Sequence, residues 1–389
     1  MNFELSEEQT MLQGSVARFV KESYDLNQRN TIVAQEHGVL AHHWQTFAEL
    51  GWLSMPFAAE YGGLEGCLVD TMVIMQEMGR GLVNEPFLPT VLLFGGLLQA
   101  SGNSEVKAKL IPQIISGELQ GAYAYLERQS RYALTDIATS ASQQGGDWVL
   151  DGEKTVVLNG AAAQKFIVAA RTSGAQSDVG GITLFLVDGA AEGLSRTIYR
   201  MTDGREAANI TFSGVAAEAV VGTRDDGYSL MAPVVDKAIL AICADALGAM
   251  ESLNARTLEY LKTRKQFGVH IGSFQALQHR MVDLFAACES TKSLLYRAVL
   301  TADAVDDDAP RSLLALKVMV GRAGRKIGSE AIQMHGGMGM TEELVVGAYV
   351  KRLMIANTLF GDADYQQGRF VELVNAAKMG ELKLESGTG

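Results

Sequence analysis

Hydrophobic periodicity changes twice along this chain, and the order of those changes is its tightest constraint on fold. Up to about residue 120, apolar residues recur at helical spacing. Ser6 and Gln9 form a capping-box pattern ahead of the stripe Leu12, Val16, Phe19 and Val20. Further helical stretches run around Trp44 to Leu50, Val69 to Arg80 and Glu105 to Ile115, with breaks at Tyr61-Gly62-Gly63 and Ser116-Gly117. From Gly121 the texture shifts to short β-prone runs: Ala138 to Ala141, Trp148 to Leu150, Thr155 to Leu158, Phe166 to Ala170, Ile182 to Val187 and Asn209 to Phe212. Asp151-Gly152 and Asn159-Gly160 supply turn chemistry between them. Helical spacing returns after Asp226, where Val235, Ile239, Ile242, Ala246, Met250 and Leu253 share one face of a helix that should end near Arg264. Two more long helices are expected, Phe274 to Asp303 and Ala309 to Met334, joined by an acidic solvated turn. The chain therefore reads as α+β: a helical domain over 1–120, a mostly antiparallel β domain over 121–225 and a helical domain over 226–389.

A length of 389 residues is more than one ordinary core needs, and 48% hydrophobic residues with six prolines favour packed interiors over disorder. The net charge of -12 is spread along the chain, which argues against nucleic acid or an anionic membrane as main partner. No apolar run of about 18 residues is present, so no membrane span is expected. Met1 to Gln9 is polar, unlike a signal peptide, and a cytoplasmic location is expected. Cys67, Cys243 and Cys288 are far apart with no ligand spacing, so they read as small buried hydrophobes and no metal is expected. Adjacent His42 and His43 would diverge on a helix and do not form a metal pair.

Four local sequences carry more. They are Glu49-Leu50-Gly51-Trp52-Leu53 leading to Glu60-Tyr61-Gly62-Gly63; Asp151-Gly152-Glu153-Lys154 to Asn159-Gly160; Thr263-Arg264-Lys265-Gln266-Phe267-Gly268 followed by Ile271 and Phe274-Gln275; and Gln333-Met334-His335-Gly336-Gly337-Met338-Gly339. Alone, the last is a helix end and the third a helix terminus with basic residues facing the dipole. In register over this length they resemble the acyl-CoA dehydrogenase family, across nearly the whole chain. The chemistry agrees with a cofactor pyrophosphate. Arg264 offers a forked donor, Gln333 an amide donor, Phe267 an apolar wall, and Gly336-Gly337 a surface without side chains. No Gly-rich turn follows a strand and opens a helix, so the Rossmann and Walker loops are excluded.

The resemblance implies FAD-dependent α,β-dehydrogenation of an acyl-CoA thioester in fatty acid or dicarboxylate degradation, with an electron-transferring flavoprotein as electron acceptor. It implies cofactor contact at Arg264, Gln266, Phe267, Ile271, Phe274, Gln275, Gln333, Met334, Gly336 and Gly337. Those residues correspond to the part of the family site that reaches across to hold the ADP portion of a neighbour's FAD. The flavin-ring positions depart from the family pattern: Leu126, Val156, Leu158 and Ala363 stand where it has Thr, Trp, Thr and Thr. Its two base positions correspond to Gly361 and Ala238, neither a carboxylate. The runs Glu127 to Tyr132 and Thr358 to Asp364 look most like the small subunits of pimeloyl-CoA dehydrogenases and related bacterial heteromers, in which two chains share one FAD. A degenerate small subunit is the leading expectation. The alternatives are a self-sufficient homo-oligomer using Asp362 as a displaced base, and a structural or acyl-CoA-binding protein without flavin.

Overall fold

A computed structural model describes residues 4–386, and their side chains except at 26, 36 and 377–386. The helices before the sheet are α1 (Glu7–Ser23), α2 (Leu26–Val33), α3 (Ala41–Glu49), α4 (Leu68–Gly81), α5 (Gly96–Ala100) and α6 (Ser104–Ile115). Strands β1 (Gly121–Ala124), β2 (Ser140–Gln144), β3 (Asp147–Leu158), β4 (Lys165–Arg171), β5 (Ile182–Asp188), β6 (Leu194–Arg200), β7 (Glu206–Ala216) and β8 (Ala219–Val221) follow. After them come α7 (Gly227–Thr263), the short strands β9 (Lys265–Gln266) and β10 (Val269–His270), then α8 (Gln275–Asp303), α9 (Ala309–His335), α10 (Val346–Thr358) and α11 (Ala363–Ser386). Helical, β, helical is the order the periodicity requires. The capping box opens α1 as read: Ser6 Oγ accepts from the Gln9 amide and Gln9 Oε1 from the Ser6 amide, each at 3.1 Å.

Backbone contacts group the chain into two compact units. One comprises Arg29–Cys67 and Asn84–Ala238; the other comprises the chain up to Gln28, Leu68–Val83 and everything from Ile239. In the first, the sheet runs β6-β7-β3-β2-β4-β5-β8, with β1 also beside β4. Its pairings are antiparallel except that β1 and β2 run parallel to β4. Alternate residues of these strands, including Ala122, Leu150, Phe166, Val168, Phe185, Ile210 and Phe212, close one dry core. In the second unit, α4 and α7 meet backbone to backbone. A Cβ at Gly79 would lie 1.9 Å from the Asp245 carbonyl oxygen, and one at Gly248 would lie 1.8 Å from that of Gln76. Buried Arg352 of α10 joins them, donating to the Val83 carbonyl at 2.7 Å and to Asp245 Oδ1 at 3.5 Å.

Several local readings change. Asp151-Gly152 does not end a strand. β3 runs through it with a register shift between Leu150 and Gly152, and Gly152 takes φ +145, where a Cβ would sit 2.7 Å from Thr139 Cα. Strands β1 and β6 carry no readable alternation: β1 is buried at all four residues, and every residue of β6 is exposed or half-exposed. Cys243 and Cys288 are buried as expected, whereas Cys67 is half-buried. Glu342 and Glu343 lie ahead of α10, which starts at Val346.

Candidate functional site

The third and fourth motifs meet in the second unit. Helix α7 ends at Thr263, and Tyr260 near that end lays its ring on His335, the last residue of α9, with centroids 4.3 Å apart and planes at 27°. Tyr260 also donates to the His335 carbonyl at 3.4 Å. The His335 ring is buried and its Nδ1–H donates to the Ala331 carbonyl at 2.8 Å, so the imidazole works as a structural clamp. Burial also lowers its pKa, which favours the neutral ring.

On this clamp stands a two-residue hairpin. Gln266 pairs with Val269 and Lys265 with His270, leaving Phe267 and Gly268 at the tip with φ +54 and +82. Positive φ at both tip residues is the hairpin turn that matches strand twist, and it suits Asn or Gly far better than Phe. Phe267 is 92% exposed, so packing within the chain does not explain its presence there. Its ring stands edge-on to that of Phe274, itself 40% exposed, at 6.4 Å between centroids. Arg264, Gln266, Gln275, Gln333, Gly336 and Gly337 are exposed as well, while Ile271 is half-buried and the Met334 side chain packs inward.

The glycines of the fourth motif differ in kind. A Cβ at Gly339 would meet the Ile332 carbonyl oxygen at 2.9 Å, so Gly339 serves packing. Nothing lies within 4 Å of a Cβ built at Gly336 or Gly337, and Gly337 has no positive φ. The chain's own packing does not require glycine at 337. A bare backbone, an exposed guanidinium, an exposed amide and a strained apolar tip fit the pyrophosphate and ring edges of a dinucleotide.

The base turn of the same unit is closed. Phe360 has φ +60 and Gly361 φ +100. A Cβ at Gly361 would lie 2.5 Å from Gln366 Nε2 and 2.6 Å from Tyr365 Cδ1. That Nε2 is committed, donating to the Phe360 carbonyl at 2.6 Å from a fully buried side chain. Lys317 lies beneath the preceding helix end, donating to the carbonyls of Ala356 and Asn357 as a cation on a helix C-terminus. Burial brings its ammonium down to about 8. Asp362 is the N-cap of α11: its Oδ1 accepts from the amides of Tyr365 at 2.9 Å and Asp364 at 3.1 Å. Asp362→Ala should therefore cost about 1 kcal/mol of stability, and Asp362→Asn almost none. Thermal unfolding checks both, and abolished dehydrogenation in Asp362→Asn would instead make this carboxylate a base.

The other predicted positions lie in the sheet-containing unit, except Ala363, which is buried beside the closed turn. Ala238 is fully buried on α7. Leu126 and Leu158 are half-buried. Val156 sits in a register shift of β3 with φ +51, an unusual conformation for a β-branched residue. A bulge of this kind re-aims a side chain, here that of a valine. Neighbouring Glu127 and Lys154, each part of a recognised run, have an internal role. Lys154 Nζ, fully buried, donates to Glu127 Oε1 at 2.6 Å and to the Tyr125 carbonyl at 3.3 Å. Glu127 also accepts from the amides of Ala138 at 2.8 Å and Thr139 at 3.0 Å. Burial would raise its carboxyl, but Lys154 and hydrogen bonds from Gln129 and Thr139 prevail and hold it at about 2. Nothing in the sequence pairs residue 127 with 154; only the sheet does.

Among the described residues no helix is long and apolar enough to cross a membrane, and no cluster of His, Cys, Asp or Glu could hold a metal ion. Three family models match in order: the acyl-CoA dehydrogenase N-terminal domain over residues 6–118, its middle domain over 122–215 and its C-terminal domain over 225–372. The short-chain specific acyl-CoA dehydrogenase of Clostridium acetobutylicum is 26% identical, covering 94% of this chain and 98% of its own. Mitochondrial isovaleryl-CoA dehydrogenase of Pongo abelii is 26% identical over 89% of this chain and 84% of its own. Among solved structures, a variant of the Tcur3481-Tcur3483 steroid ACAD matches with TM-score 0.86 and 26% identity, covering 96% of this chain and 99% of that one. With the helical, β and helical parts in the family's order and all three models matched, this chain belongs to the acyl-CoA dehydrogenase family of FAD-dependent oxidoreductases.

Proposed function

We propose that this chain is the non-catalytic small subunit of a heteromeric acyl-CoA dehydrogenase, which lends its exposed hairpin and glycine surface to an FAD whose ring and base belong to a partner chain. The observation that carries this reading is Gly361: at the family's base position the backbone has a left-handed φ and no room for a side chain. A carboxylate there is absent by residue type, and the φ and the crowding by Gln366 and Tyr365 oppose one. When bound, FAD supplies the acceptor for the hydride leaving Cβ of the acyl thioester, and an electron-transferring flavoprotein takes the electrons onward. Arg264 would grip the pyrophosphate with its guanidinium fork, Gln333 would donate its amide, and Gly336-Gly337 would let phosphate oxygens approach the backbone. Phe267, Ile271 and Phe274 would keep water from that contact. The two-name Tcur3481-Tcur3483 assembly among similar structures supports a paired arrangement.

The test is reconstitution with the acyl-CoA dehydrogenase-like chain that co-purifies from the native source. Arg264→Ala should weaken FAD retention in that complex about 10- to 100-fold, the range for a lost charge-assisted hydrogen bond. The chain alone should purify nearly colourless. Stoichiometric flavin and turnover in the isolated chain, or unchanged flavin retention in Arg264→Ala, would defeat the proposal.

A further inference from the structure

On α9 and α10 a cavity of about 320 Å³ is lined by Gly321, Gly324, Arg325, Gly328, Ser329, Val350, Leu353, Met354, Asn357 and Thr358. The two helices run past each other with Gly328 against Val350, Gly324 against Leu353 and Gly321 against Asn357. The seven helical rises from Gly321 to Gly328 give the groove a floor about 10 Å long. Its volume is at the small end of the range for ligand pockets.

The glycines of the floor are not equivalent. A Cβ at Gly321 would collide with Asn357 Oδ1 at 2.1 Å, so that glycine is needed for close helix packing. At Gly324 and Gly328 the nearest atoms would lie at 3.4 Å, close to ordinary contact. Packing alone would accept alanine there with little adjustment, and glycine keeps the floor lower than it need be.

Thr358 of the lining is engaged, its hydroxyl donating to the Met354 carbonyl at 3.0 Å, and donors are left to a ligand on Arg325 and Asn357. Arg325 is exposed and makes no hydrogen bond or ion pair among the described residues. Asn357 uses Oδ1 to accept from the Ala363 amide at 3.3 Å, and its Nδ2 has no partner among the described residues. The lining contains one cation and no carboxylate, in a chain of net charge -12. The end of α10, where helix carbonyls would repel an anion, is covered by the Lys317 ammonium on Ala356 and Asn357. Val350, Leu353 and Met354 line the groove from α10, as Asn357 does, and Met354 is 60% exposed.

We infer that this groove binds a small amphiphilic carboxylate, its head on Arg325 and the Asn357 amide and its tail along Val350, Leu353 and Met354. One guanidinium fork and one amide match the two oxygens and single charge of a carboxylate. A phosphate dianion would call for more cations, and a wholly apolar ligand would leave Arg325 unused. This site does not depend on the flavin reading, because neither Arg264 nor the hairpin takes part.

Titration calorimetry on the full chain, with octanoate, octanol and inorganic phosphate as probes, tests the assignment. Octanoate should saturate a single site at least 10-fold more tightly than octanol or phosphate. Arg325→Ala and Met354→Trp, both at exposed positions, should each weaken it at least 10-fold while leaving the melting temperature unchanged. The inference is overturned by an absence of saturation, by octanol or phosphate binding as well as octanoate, or by full octanoate affinity in both melting-competent variants.

Discussion

Gly361→Glu, the substitution that would rebuild the family's base by residue type, should yield no turnover and should destabilise the chain by about 2–4 kcal/mol. The magnitude combines two costs. A residue with a Cβ held at φ +100 pays roughly 1–3 kcal/mol of backbone strain. A side chain forced against Gln366 Nε2 and Tyr365 Cδ1, 2.5 and 2.6 Å from the new Cβ, adds about 1–3 kcal/mol of overpacking unless the turn rearranges. Rearrangement would break the Gln366 bond to the Phe360 carbonyl, which Gln366 makes from a fully buried position. Denaturant unfolding of Gly361→Glu against Gly361→Ala separates the two costs, since alanine carries the φ strain with a smaller clash. A Gly361→Glu chain that melted like the parent, or that dehydrogenated an acyl-CoA without a partner, would show the turn to be adaptable.

The second large effect is expected at Lys154. Lys154→Met removes one member of a buried ion pair and leaves Glu127 with its amide donors but without its cation. The cost should be about 3–5 kcal/mol. Glu127→Gln added to Lys154→Met should recover part of that loss, because no charge is then left buried, and urea unfolding of the single and double variants measures the recovery. The same pair sets an acid limit. The Glu127 carboxyl is held at about 2 in the folded chain, below its ordinary value of 4.5, so its contribution is complete above about pH 4.5. It is lost as pH falls from there toward 2. In Glu127→Gln that portion of the acid destabilisation should disappear. An unchanged acid limb would place the sensitivity elsewhere.

Residue type alone leaves both effects open. Glycine at 361 in the sequence reads as a missing base, but the same letter would stand in a turn that could accept glutamate. Only the φ angle and the placement of Gln366 show that a side chain at 361 would be strained. Asp362 looks like a displaced base because it is one residue away, and it becomes a helix cap once its Oδ1 is seen on two amides of α11. Phe267 is legible as a motif residue, whereas its 92% exposure on a strained hairpin tip is not.

The sequence by itself determined the succession of helical, β and helical parts, because the periods 3.6 and 2 are local properties of which residues can share a buried face. It also determined the family, through short runs in register, and it shows Gly at 361 and Ala at 238, neither a carboxylate. It misjudged Asp151-Gly152 as a strand end and could not show β1 or β6, where burial is set by neighbours rather than by alternation. Only the tertiary structure decided the roles within those runs. It joined Glu127 to Lys154 across 27 residues, clamped Tyr260 on His335 across 75, and separated glycines that packing demands from those it does not. The physical reason is the same in each case: a contact between distant residues, or a backbone angle imposed by packing, leaves no trace in the local pattern of side chains.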